Sequence, residues 1–343
     1  MKKVVFLLVF VCFFVSTVFA AGKDVIPTNE QMAAVAMEKQ DYWEAVRLYS
    51  GEIVKNSDRA LLYKERANAY YRLKKYSEAM RDYNTAIALD PSYVDAYNNR
   101  GNVYHAYGEY NKAIADYTKV IRLNPQHIKA YYNRALAYVA IGAYEKAAAD
   151  DTQALLLKPM NADTWKNRGM VYECMGHYAE ALRDYEKAIA INPNDGAAYY
   201  NRGNVQMRQQ DVKAAIQSYK QAIRLDDKDV NAYNNMGLAY AGQKNTKRAL
   251  EAYDKAIELA PEYMNAYSNR GLVYMEQGKY EEAQADFNKA IELVPDCASC
   301  YMNRAELYEL IGSKNGAQDD YRRAVLLDAS CAKDVPWKYR DKL

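Results

Sequence analysis

The sequence predicts an all-α fold, a solenoid of stacked helix-turn-helix units, and three observations point to it. Tyr131, Tyr132, Asn133, Arg134 and Ala135 return 34 residues later as Trp165, Lys166, Asn167, Arg168 and Gly169. The same period runs from Ile26 to Cys331 without insertion, dividing the chain into nine units: 26–59, 60–93, 94–127, 128–161, 162–195, 196–229, 230–263, 264–297 and 298–331. The twentieth position of all nine is alanine, from Ala45 to Ala317. A fixed period of this length marks a repeat array, in which a unit buries its apolar face only against its neighbours.

Within a unit the elements follow in order. Two runs of about a dozen residues carry helical periodicity. Aromatics at positions 4 and 11 (Tyr97 and Tyr104, Trp165 and Tyr172) lie on the first run, with Gly or Ala at position 8, from Ala33 through Gly101 to Ala305. Glycines such as Gly108, Gly142 and Gly278 mark the turn between the runs. The second run carries Tyr at position 17, Ala at 20 and an aromatic at 24, such as Tyr117, Tyr185 and Phe287. Proline at position 32 closes it in six units, Pro91, Pro125, Pro159, Pro193, Pro261 and Pro295. Proline cannot continue a helix and restricts the residue before it. The small residues at 8 and 20 let helix backbones approach, and the aromatics fill the space between helices.

This pattern of aromatic, small, aromatic, Ala, aromatic and Pro resembles the tetratricopeptide (TPR) repeat. The resemblance covers about nine tenths of the chain in one register. It implies two antiparallel helices per unit, stacking into a right-handed superhelix with a concave groove.

At the N-terminus, Lys2 and Lys3 precede an apolar run from Val4 to Val15, and Val18, Phe19 and Ala20 offer a signal-peptidase site. Residues 1–20 are read as a cleaved signal peptide of bacterial type, which places the mature chain in the periplasm or outside the cell. The alternative is an uncleaved membrane anchor, since about 18 apolar residues lie at the lower edge for spanning. Cys12 is not a lipoprotein site, because Val11 precedes it where a small residue is needed. The first unit, with Asn29, Glu52 and Ser57 at framework positions, reads as a polar cap. Units 196–229 and 230–263 are the most irregular, with Gln206, Gln210 and Val212 in one and Lys244 and Thr246 in the other. The tail 332–343 is expected to fold Trp337 back over the last unit.

Composition narrows the function. The chain has 46 Lys+Arg and 44 Asp+Glu, so without Lys2 and Lys3 the charges balance at 44 each. A nucleic-acid binder would need a basic stripe. Tyrosine is over-used, 34 residues, but mostly at framework positions, where it reads as core.

Three constellations stand out. Position 7 is Arg66, Arg100, Arg134, Arg168, Arg202, Arg270 and Arg304, and position 23 is Asp82, Asp116, Asp150, Asp184, Asp286 and Asp320. Both are apolar together in two units, Met32 with Leu48 and Met236 with Ala252, and one unit alone breaks the rule, with Arg202 against Ser218. Joint loss predicts a partly buried ion pair, because stranding one charge costs far more than replacing both. Position 6 is Asn99, Asn133, Asn167, Asn201, Asn235, Asn269 and Asn303 in seven successive units. The resemblance puts this position on the concave groove, where side-chain amides could pair with both polar groups of an extended peptide. Such a ladder is similar to that of the TPR superhelix of O-GlcNAc transferase. Lys64, Asn68, Asn99 and Lys129 resemble the dicarboxylate clamp of chaperone-binding TPR domains, except that Asn133 stands where that clamp has arginine.

Cys297 and Cys300 form a single C-x-x-C, with Cys331 the repeat equivalent of Cys297. A disulfide among these three is expected in an oxidising compartment, its pairing open, with Cys174 left free. His105, His127 and His177 share no spacing that builds a triad or metal site, and no phosphate loop is present. The expectation is a non-enzymatic protein-interaction scaffold that binds a polypeptide in its groove, with no cofactor, metal or nucleic acid, and membrane contact only through an uncleaved N-terminal segment. The alternatives are an oligomerisation protein using its C-terminal end face and a cell-envelope carbohydrate binder using groove aromatics such as Tyr71, Tyr132 and Tyr200.

Overall fold

The chain between positions 1 and 13 of each unit carries a good helix-forming sequence, and so does the chain between positions 17 and 30. The computed structural model, which describes residues 28–340, forms helices over both. The predicted signal peptide lies outside the described residues. Residues up to Leu157 make one compact body and those from Lys158 another. The first contains four helix pairs: α1 (Asn29–Glu38) with α2 (Tyr42–Lys55), α3 (Ala60–Arg72) with α4 (Tyr76–Leu89), α5 (Val94–Ala106) with α6 (Tyr110–Leu123), and α7 (Ile128–Ala140) with α8 (Tyr144–Leu157). The second contains five: α9 (Ala162–Cys174) with α10 (Tyr178–Ile191), α11 (Gly196–Arg208) with α12 (Val212–Leu225), α13 (Val230–Gly242) with α14 (Thr246–Leu259), α15 (Met264–Glu276) with α16 (Tyr280–Leu293), and α17 (Ala298–Leu310) with α18 (Lys314–Leu327). A 3-10 turn (Ala329–Lys333) and the short α19 (Trp337–Arg340) follow. Among the described residues there is no strand, and the protein is an all-helical solenoid of tandem helix-turn-helix units.

Helix starts are set by caps. The Asp195 and Asp229 carboxylates accept the backbone N–H of Ala198 and Ala232 at the heads of α11 and α13, and Asp41, Asp211 and Asn245 cap second helices in the same way. The turn inside each pair needs a left-handed residue at position 15. Gly108, Gly142, Gly176, Gly278 and Gly312 supply it, but Gln40, Lys74, Gln210 and Lys244 adopt the same conformation at φ 57 to 63°. The turn is thus kept even where the glycine is lost, at some strain.

Position 8 is small because the position-24 ring lies on it. A Cβ on Gly101 would sit 2.6 Å from the Tyr117 ring, and one on Gly169 2.8 Å from Tyr185. Those rings and the alanines at position 20 are fully buried.

The Arg–Asp pairs form as expected. Arg100 donates from Nε and Nη2 to the two carboxylate oxygens of Asp116 at 2.8 and 2.7 Å, and Arg66, Arg134, Arg168, Arg270 and Arg304 repeat this with their aspartates. Two things were not anticipated. The guanidinium lies between the rings at positions 4 and 11, as Arg100 does between Tyr97 and Tyr104 at 5.4 and 5.7 Å. Its remaining Nη1 reaches back to position 25 of the preceding repeat: Arg66 to Ser50, Arg100 to Asn84, Arg134 to Thr118, Arg270 to Asp254 and Arg304 to Asn288, at 2.6 to 3.0 Å. The pair therefore joins repeats as well as helices. Arg202, which lacks an aspartate, bonds Ser218 Oγ at 3.0 Å.

The tail does fold back, but not through Trp337, which is 81% exposed. Val335 and Tyr339 are the buried residues, packed with Ala305, Ala317 and Tyr321. Pro336 precedes the short α19, and the helix that follows turns Tyr339 inward and Trp337 out. The Lys338 ammonium pairs with Glu309 at 2.9 Å, and Arg340 donates to the carbonyls of Val335 and Lys333.

Candidate peptide-binding face

All but one of the asparagines of position 6 are half-buried on the first helices, and five of the seven, Asn99, Asn133, Asn235, Asn269 and Asn303, are engaged with the preceding repeat. Asn99 donates from Nδ2 to Asn68 Oδ1 at 2.9 Å and its Oδ1 accepts from Asn98 at 3.1 Å. Asn133 donates to Asn102 Oδ1 at 3.0 Å and Asn98 Oδ1 at 3.4 Å. Asn235 donates to Asn204 Oδ1 and to the Tyr200 hydroxyl at 3.0 and 3.1 Å. Asn269 and Asn303 each donate to position 5 of the repeat before, Asn234 and Ser268. Asn167 is buried, 4% exposed. Asn201 is half-buried and lines an open cleft. The ladder is therefore first a stitch between repeats. Asn133 and Asn235 have both N–H groups committed, which alters the expectation that every amide is free for a ligand.

The stitch includes two positions that sequence reasoning did not join to it. Where position 9 is asparagine, its Oδ1 accepts both from the next repeat's position 6 and from the position-24 tyrosine of its own repeat. Tyr83 donates to Asn68 at 2.7 Å, Tyr117 to Asn102 at 2.8 Å and Tyr219 to Asn204 at 2.9 Å. In the repeat with Phe287 position 9 is Leu272, but Met170 and Leu238 stand at position 9 of repeats that keep Tyr185 and Tyr253, so no covariation in the sequence joined the two positions. Burial pushes the phenols of Tyr83, Tyr117 and Tyr219 upward, so they stay neutral donors.

The residues proposed as a carboxylate clamp come together only in part. Lys64 is buried and paired with the Glu65 carboxylate, whose other oxygen accepts from Asn68 Nδ2 at 2.9 Å. Burial alone would lower the Lys64 pKa, but Glu65 more than offsets it and the net shift is upward. Glu65 stands at position 6, where the later repeats carry asparagine, and supplies the carboxylate that a ligand would bring. Asn99 joins through Asn68, while Lys129 lies exposed. Lys64, Asn68 and Asn99 are thus satisfied from within the chain.

Open clefts lie beside the ladder. In the first body one of ≈ 320 Å³ is lined by Met37, Asn68, Tyr71, Arg72, Asn99 and Asn102. In the second body one of ≈ 520 Å³ is lined by Met170, Glu173, Cys174, Asn201, Asn204 and Arg208, and one of ≈ 250 Å³ by Met207, Tyr219, Asn235 and Leu238 among others. Glu173 accepts from Tyr185 at 3.0 Å and pairs with Arg208 at 3.5 Å. Each cleft combines amides with flexible methionine or tyrosine side chains, a mixture suited to irregular polypeptide surfaces.

Among the described residues the cysteines form one disulfide, between Cys297 and Cys300, with Cys174 and Cys331 free. The bond caps the head of α17 and does not staple the last repeat. Cys331 lies in the 3-10 turn that follows α18, the second helix of the last repeat. Among the described residues no three His, Cys, Asp or Glu side chains converge on a metal-sized site, and none of the helices is long and apolar enough to cross a membrane.

Sequence profiles of the tetratricopeptide repeat match residues 94–127, 162–195, 230–263 and 265–297, with related profiles at 67–108 and 207–244, 116–149 and 184–217, and 298–331. No curated protein sequence matches. Among solved structures, a tetratricopeptide repeat protein from Parabacteroides merdae is 20% identical with a TM-score of 0.55, covering 71% of this chain and 97% of that one. YrrB, described as a TPR protein with an unusual peptide-binding site, is 27% identical with a TM-score of 0.47, covering 54% of this chain and 95% of its own. MamA is 28% identical with a TM-score of 0.45, covering 48% and 96%. The tandem paired helices and the matching profiles together make this chain a member of the tetratricopeptide repeat family.

Proposed function

We propose that the chain is an exported, non-enzymatic scaffold that holds a polypeptide segment along the first-helix face of its repeats. The observation that carries this reading is the recurrence of open clefts beside the position-6 asparagines in both bodies, each lined by amides and by methionine or tyrosine. Such clefts address peptide amides and varied side chains without selecting a single sequence. Each contact is modest, about 0.5–1.5 kcal/mol for a hydrogen bond, so affinity accumulates over repeats. Export is motivated by Lys2, Lys3 and the apolar run that follows. The test of binding uses an immobilised, unfolded polypeptide and the Asn201→Ala, Leu238→Ala variant. Weaker capture at unchanged melting temperature supports the reading, and unchanged capture sinks it. Mass measurement of the mature N-terminus tests export, with cleavage after Ala20 expected and an intact Met1 on membranes favouring an anchor.

A further inference from the structure

The regular framework fails over two repeats, 196–229 and 230–263. Arg202 has Ser218 in place of aspartate, and the next repeat has Met236 and Ala252 in place of the pair. With no arginine at Met236 to receive, position 25 of the first repeat is no longer an acceptor but Lys220. A cleft of ≈ 350 Å³ opens here, lined by Lys213, Ile216, Gln217, Lys220, Tyr240, Gln243 and Arg248, with Ala214 between them. Its charged residues are all basic.

The other repeats serve as an internal control. The three cations occupy positions 18 and 25 of one repeat and 19 of the next. At the junction 94–127 with 128–161 these are Asn111, Thr118 and Lys146, and one repeat earlier they are Ser77, Asn84 and Lys112. Further along, Lys247, Asp254 and Glu282 stand there, then Glu281, Asn288 and Gly316. No other junction carries more than one basic residue at these positions. The placement also works against helix stability. Lys213 lies in the first turn of α12 and Lys247 and Arg248 in that of α14, where the positive end of the helix dipole favours acids, and Glu44, Glu78, Glu145 and Glu180 stand in other second helices. Among the described residues none of Lys213, Lys220 and Arg248 enters an ion pair, and the only ring contact is Arg248 over Tyr240 at 5.6 Å. Three cations thus converge beside two helix heads, and Asp211, which caps the first of these heads through the Ala214 N–H, is not among the residues that line the cleft.

We infer that this cleft docks an acidic segment of a partner polypeptide. The three cations face carboxylates, the Gln217 and Gln243 amides can pair with peptide groups, and Ile216 and Tyr240 give an apolar floor that a small inorganic anion would not use. The site is separate from the first-helix clefts and does not rest on the reading given above.

The test measures anisotropy of a fluorescent oligoglutamate peptide of about a dozen residues on the whole chain. The Lys213→Gln, Lys220→Gln, Arg248→Gln variant should bind about tenfold or more weakly and Lys220→Gln alone by an intermediate factor. Both should differ less from wild type when salt reaches about 0.5 M, where the Debye length is only a few Å. Lys112→Gln with Lys146→Gln removes the isolated cations at equivalent positions and should leave affinity unchanged. Equal weakening by the Lys112, Lys146 variant would reduce the effect to net charge and overturn the proposal. Wild-type affinity in the triple variant overturns it as well. So does binding to phosphatidylglycerol vesicles that the triple variant loses while the peptide never binds, an outcome that assigns the cleft to a membrane surface.

Discussion

Arg168 holds Asp184 with two parallel hydrogen bonds, Nε to Oδ2 at 2.7 Å and Nη2 to Oδ1 at 2.9 Å, from side chains only 14% and 5% exposed. Such a pair is expensive to break from one side. Arg168→Met alone should destabilise by about 3–5 kcal/mol, because it leaves the aspartate buried. Adding Asp184→Ala copies the repeat with Met236 and Ala252 and should restore much of the loss. A double-mutant cycle by chemical denaturation should give a coupling of about 0.5–3 kcal/mol. Additive losses would mean that the framework draws its stability from elsewhere.

The position-24 tyrosines predict loss of stability in alkali. Burial raises the phenol of Tyr49 to about 12, and those of Tyr83, Tyr117, Tyr185, Tyr219, Tyr253 and Tyr321 are raised further. The unfolded value is about 10. The folded chain therefore holds these protons more tightly than the unfolded chain does. Their contribution is whole below about pH 10 and is lost as pH rises through the folded values, by up to about 1.4 kcal/mol per tyrosine per unit. Tyrosinate absorbance should appear in two phases, the exposed rings first and the buried ones together with loss of helix. A single phase near the unfolded value would contradict this.

Asparagines of the same repeat position should behave differently. Asn133→Ala removes two bonds to the preceding repeat and should cost about 1–3 kcal/mol, whereas Asn201→Ala should alter the melting temperature little. Tyr117→Phe should cost about 1 kcal/mol, since Asn102 keeps its bond from Asn133. Thermal melts of the three variants check the order. Equal effects of Asn133→Ala and Asn201→Ala would mean that the stitch carries no stability.

At the C-terminus, Tyr339→Ala should destabilise by about 2–4 kcal/mol, because the ring is buried against Tyr321 at 5.3 Å between centroids. Trp337→Ala should lie within about 0.5 kcal/mol of wild type. Denaturant midpoints of the two variants check this, and the reverse order would put the tryptophan in the cap.

The repeat and its helices were legible because alanine at position 20, glycine or alanine at position 8 and proline at position 32 answer local demands of packing and termination. The Arg–Asp pair was legible because both members vanish together. The use of the Asn ladder was not, since its partners lie 31 or 35 residues back at other register positions, and asparagine at position 9 recurs in only some repeats. Glu65 escaped notice because a clamp is read from its cations, and an internal anion leaves the same cations in the sequence. Trp337 misled because apolar size alone does not say which face of a one-turn helix meets the core.

Every bond from a position-7 arginine to position 25 points backward along the chain. The first of the nine repeats carries Met32 at position 7. The ninth carries Arg322 at position 25 instead of an acceptor. An interior unit such as 94–127 holds both halves of the joint, so a tandem copy of it finds a donor and an acceptor waiting. The last unit moved inward would set Arg322 against the arginine of its new neighbour, cation against cation. The array can therefore be lengthened by duplication of its middle and not by recruitment of its ends, and each terminal repeat is bound to its place in the order.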